Sequence, residues 1–94
     1  MTVTRRLRAH GRVQGVGCRA FVRREADGLG LDGWVRNRVD GSVEILVAGD
    51  GAVVEELVSR ARRGPTFGRV DRLDVSEDVG PDELGVGFVI RGDR

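Results

Sequence analysis

The chain has no lysine and no tyrosine, and it has one cysteine, one histidine and one tryptophan. The absence of lysine excludes Schiff-base chemistry. With Cys18 alone no internal disulfide can form, and Cys18 with His10 cannot make a Cys/His zinc cluster, so no metal centre is expected. All sixteen basic residues are arginine, which GC-rich codon usage explains without selection for guanidinium groups. Aromatics are only 4% of the residues, so the core must come mainly from Val, Leu and Ala. No apolar run approaches the roughly 18 residues of a membrane span, and "MTVTRRLRAHG" has no signal-peptide core. The expectation is a soluble, unexported chain, which in a bacterium means cytoplasmic, without membrane association and a monomer by default.

Ninety-four residues with 39% hydrophobic content suit one globular domain, 1–94. A net charge of +1 lacks the basic surplus of a general nucleic-acid binder, so no nucleic-acid partner is expected. The charges are nevertheless uneven. Residues 1–24 hold seven arginines and no acid, whereas 71–94 hold seven acids against three arginines. Either one end attracts anions or neighbouring strands carry complementary charges.

Residues 3–9 alternate as a strand, with Val3, Leu7 and Ala9 on one side and Arg5 interrupting. Cys18, Val22, Ala26 and Leu29 have helical spacing, Gly30 suits a left-handed C-cap, and no N-cap residue precedes the helix. "GWVRNRVDGSVEILVAG" reads as a hairpin with a type I′ turn at Asp40-Gly41. A second helix spans 52–63, capped by Asp50 and closed by Gly64-Pro65. "RVDRLDVSED" suits a strand, "VGPDELG" a turn and "VGFVIRG" a short last strand. The order βαββαβ, plus that extra strand, is a ferredoxin-like α+β pattern: an antiparallel sheet with both helices on one face. Such a fold hosts many functions, so the function must come from a site.

The stretch "HGRVQGVGCRAF" offers one. Its glycines can turn backbone N–H groups inward, an uncapped helix start adds a positive dipole end, and Arg19 can fork onto two phosphate oxygens. It is not a P-loop, which needs Lys then Ser or Thr, nor a dinucleotide fingerprint. Taken on its own, a glycine loop of this size is more often a plain turn, and Arg19 an exposed helix-start residue.

Two segments together are more specific. "GRVQGVGCR" and "GWVRNRVDGSVEILVAG" resemble the signature segments of the acylphosphatase family, and the element order agrees along nearly the whole chain. The second matches at Gly33, Val35, Asn37, Gly41, Val43 and Gly49. The first matches at Gly11, Val13, Gln14, Gly15, Val16 and Arg19, and departs at Ala9, where the family prefers an aliphatic residue, and at Cys18, where it prefers an aromatic.

The resemblance implies metal-independent, cofactor-free hydrolysis of a small acyl phosphate to carboxylate and phosphate. Arg19 would hold the phosphate with the loop amides of Gln14, Gly15, Val16, Gly17, Cys18 and Arg19, and Asn37 would position the attacking water. Cys18 is expected to serve as a small buried hydrophobe rather than a nucleophile, at some cost to packing under the loop. His10 is expected at a strand-end surface. A small domain with a smooth phosphate cradle should discriminate weakly among acyl groups.

Similar domains also open larger hydrogenase-maturation carbamoyltransferases, but no zinc-binding or transferase segment is present up to Arg94, so on that reading the chain would be an excised fragment. An RNA-recognition sheet would need several exposed rings, where Trp34, Phe67 and Phe88 are the candidates.

Overall fold

The computed structural model describes residues 1–77 and 84–92. Five strands, β1 (Thr2–Arg12), β2 (Asp32–Asn37), β3 (Val43–Asp50), β4 (Arg69–Glu77) and β5 (Phe88–Ile90), form one sheet in the order β4-β1-β3-β2-β5. The first four pair antiparallel, as the ferredoxin-like pattern requires, while β5 adds to β2 in parallel. Helices α1 (Cys18–Gly28) and α2 (Gly51–Arg63) complete the βαββαβ order. The turn expected at "VGPDELG" falls largely outside the described residues.

Period-2 alternation decides which face each strand buries. Leu7 and Ala9 of β1, Val35 of β2, and Val43, Ile45 and Val47 of β3 face the helices and are almost fully buried. Against them pack Cys18, Val22 and Ala26 of α1 and Val54, Leu57, Val58 and Ala61 of α2, as the helical spacing indicates. Ferredoxin-like folds use one sheet face for this core.

The opposite face is closed by arginine rather than by a second layer. Trp34 is only 1% exposed because the Arg6, Arg36 and Arg91 guanidinium groups lie 5.8, 4.6 and 5.2 Å from its ring centroid. Glu44 of β3 is buried at the centre of this face and accepts from Arg6, from Arg36 at 2.9 Å and from Arg38 at 3.2 Å. Arg5–Glu77 (3.8 Å) and His10–Asp74 (3.2 Å) cross from β1 to β4. Much of the basic N-terminal run is thus matched across neighbouring strands, and the central acid comes from β3, not from the acidic C-terminal region alone.

Helix ends follow the local sequence. The Asp50 carboxylate accepts from Ala52 N–H at 3.0 Å and caps α2. At the end of α1, Leu31 N–H donates to Ala26 O and Gly30 N–H to Asp27 O, both at 3.0 Å, a Schellman closure around Gly30.

The hairpin turn differs from the expected type I′. Gly41 N–H donates to Arg38 O at 3.1 Å, so Val39 and Asp40 are the central residues. Only glycines have positive φ among the described residues, which excludes a type I′ turn with Asp40 as a central residue. Gly41 at φ +93° then forms the bulge, and the Asp40 carboxylate accepts from both N–H (2.9 Å) and Oγ–H (2.6 Å) of Ser42. These two side-chain bonds select the longer loop over the tighter turn.

Candidate active site

Topology brings the two sequence segments together. Because β3 lies antiparallel between β1 and β2, the C-terminal ends of β1 and β2 share one end of the sheet. The glycine loop leaves β1 there, α1 begins there, and Asn37 is the last residue of β2. The alternation that buries Val35 also turns Asn37 to the helix side, where it is 7% exposed. Parallel β5 ends at the same edge and contributes Ile90.

Gly15, Gly17, Cys18, Arg19, Asn37 and Ile90 line a cavity of about 250 Å³. Gly15 and Gly17 have φ +74° and +81°, left-handed values that allow the chain to double back before α1. Gly17 is the N-cap, its carbonyl accepts from Phe21 N–H at 2.9 Å, and no side chain caps the helix. The first-turn N–H groups and the positive dipole end are therefore presented at this cavity.

Asn37 carries an unusual polar atom. Its Oδ1 is buried and accepts no hydrogen bond. A buried side-chain acceptor is normally satisfied, and leaving one open costs about 1–3 kcal/mol. The oxygen belongs to a residue of the wall shared with Arg19, so a hydrogen-bond donor in the cavity would remove the penalty.

Gln14 and Val16, expected to bind through their backbone amides, send their side chains elsewhere. The Gln14 side chain turns to the hairpin, its Nε2 donating to Arg38 O at 2.7 Å and to Ser42 O at 2.9 Å. It ties the glycine loop to the turn after Asn37, a positioning role that spacing along the chain could not show. Val16 packs its side chain against the core and lines a neighbouring cleft, not this cavity. The signal for the missing lining residue, Ile90, was weak because a three-residue strand has little pattern.

Cys18 is buried against the core at 4% exposure. Burial pushes its thiol up to about 11, so it is protonated near neutrality and a poor nucleophile. His10 stays on the outer sheet face with Asp74, remote in role from the cavity. Among the described residues no three His, Cys, Asp or Glu side chains gather as a metal site, and no helix is long and apolar enough to cross a membrane.

The acylphosphatase family model matches residues 5–90, across both segments. The chain belongs to the acylphosphatase family. An acylphosphatase of Rhodopseudomonas palustris (strain BisB18) is 56% identical over 73 residues, covering 78% of this chain and 74% of its own. The crystal structure of acylphosphatase from Bacillus subtilis superposes with a TM-score of 0.88 at 40% identity, covering 97% of this chain and 99% of that one. A full-length HypF, solved in a phosphate- and nucleotide-bound form, also superposes with a TM-score of 0.88 at 28% identity, covering 99% of this chain but 12% of that one.

Proposed function

We propose that this acylphosphatase-family chain hydrolyses small acyl phosphates in the cavity formed by the glycine loop, Arg19 and Asn37. The observation that carries the reading is the buried, unpaired Oδ1 of Asn37 in the same wall as the glycine loop. Loop amides from Gln14 to Arg19 and the α1 dipole hold the phosphate, and Arg19 adds a bidentate charge. Asn37 Oδ1 accepts a hydrogen bond from water and aims its lone pair at phosphorus. The water O–P bond forms as the P–O bond to the acyl group breaks. The carboxylate leaves with the electron pair, and a phosphate oxygen takes the water proton.

This chemistry asks for placement and charge compensation rather than a strong base, since a carboxylate leaves without protonation. A guanidinium and a carboxamide are not general bases, and none is needed here. The proposal takes residues 1–94 as one domain, a cytoplasmic monomer without metal or cofactor. Sedimentation velocity at micromolar concentration checks the monomer. The RNA-recognition alternative is disfavoured by Trp34 and Phe88, whose rings are buried. The carbamoyl-phosphate alternative draws on the HypF likeness, whereas the relative spanned over most of its length bears the name acylphosphatase.

The test is phosphate release from benzoyl phosphate. Arg19→Ala is expected to raise KM and lower kcat together, whereas Asn37→Ala should lower kcat about a hundredfold with KM nearly unchanged. Wild-type protein no faster than either variant would sink the reading.

A further inference from the structure

A second, larger cleft of about 620 Å³ adjoins the cavity. Gly17 and Ala20 line both hollows, so they meet at the first turn of α1. The second hollow thus flanks the wall of the first. The cleft runs between α1, which supplies Phe21 and Arg24, and the end of α2 with its following turn, which supply Arg63 and Phe67.

Its chemistry is specific. Phe67 is 81% exposed, so core packing does not account for a ring at this turn. Phe21 is only partly buried, and the Arg24 guanidinium lies 6.0 Å from its ring centroid. Arg63 is exposed and has no carboxylate partner among the described residues, and no acidic side chain lines the cleft. Two rings and two cations thus border one hollow next to the phosphate cradle. A smaller hollow that also touches Ala20 and Arg24 has no ring; its Arg23 faces Asp27 at 3.6 Å, and Arg24 itself lies 3.8 Å from the Glu25 carboxylate.

We propose that the cleft bordered by Phe21, Arg24, Arg63 and Phe67 is the acyl-group subsite, and that it favours acyl phosphates with an aromatic or bulky apolar body bearing a second anionic group. The inference rests on the neighbouring cavity being the phosphate site. The cradle grips a phosphate common to every substrate and cannot by itself tell acyl groups apart; the cleft can. The rings cover the apolar body, and the two guanidinium groups meet the distal charge.

The experiment compares kcat/KM for acetyl phosphate, benzoyl phosphate and 4-carboxybenzoyl phosphate, with circular dichroism to verify the fold of each variant. The wild type should rank the carboxylated substrate first and acetyl phosphate last. Phe67→Ala should lower the benzoyl-to-acetyl ratio about fivefold. Arg63→Gln should lower the carboxybenzoyl-to-benzoyl ratio by about threefold or more, and less so at high salt. Arg23→Gln should leave both ratios where they are. Unchanged ratios in both Phe67→Ala and Arg63→Gln overturn the proposal, as does a shift in Arg23→Gln, which would put the acyl group in the other hollow. Failure of the wild type on all three substrates would instead remove the hydrolase reading on which the proposal rests.

Discussion

Single residues show where chemical type suffices and where surroundings decide. Arg19 and Asn37 stand out in the sequence through the two family-like segments that hold them, and the structure brings both to one cavity wall. The clamp made by Gln14 does not stand out, since its partners are carbonyls 24 and 28 residues away that converge only after the hairpin closes. Cys18 is an intermediate case. Its place on the α1 stripe announces burial, but only the packed core sets how far the thiol is shielded. Burial disfavours the thiolate and raises the pKa to about 11. Iodoacetamide should therefore label the folded protein slowly at pH 7, with labelling quickening as pH approaches 11 or on unfolding in urea. Mass spectrometry showing prompt alkylation of folded protein at pH 7 would contradict this.

Elements depend on glycine in two different ways. Gly17 sits at φ +81° with nothing within 4 Å of an added Cβ, so Gly17→Ala meets only the left-handed backbone penalty, about 1–2 kcal/mol. It should fold, with a lower urea midpoint. Gly33 is another matter. A Cβ there would lie 1.9 Å from Leu46 O on the neighbouring strand, at φ +143°. Neither the backbone oxygen nor the pairing of β2 with β3 can yield cheaply, so Gly33→Ala should leave little folded protein by circular dichroism. Both glycines are visible in the sequence. Their unequal importance is not, because it arises from which strand lies alongside.

Across the whole molecule, Glu44 links β1, β2 and β3 through arginines on the open sheet face. Burial alone would raise its pKa, but hydrogen bonds from Arg6 and Arg36, together with their charges, outweigh that and hold it below the usual glutamate range. A depressed folded-state pKa stabilises above the unfolded value of about 4.3 and loses that contribution as pH falls through the folded pKa. Urea unfolding should thus show the wild type weakening in acid. Glu44→Gln should be about 2 kcal/mol less stable at pH 7 and less sensitive to acid. Equal stability of the two proteins at pH 7 would count against the network. By itself the sequence determined the element order, the helix stripes, the Asp50 cap and the two motifs, because periodicity, capping and turn preference act over a few residues. Only the tertiary structure decided the strand order that unites glycine loop and Asn37, the parallel addition of β5, the Gln14 clamp and the cleft beside the cradle. Those depend on contacts between residues distant in the chain, whose pairing is chosen by the packing of the whole sheet against its helices.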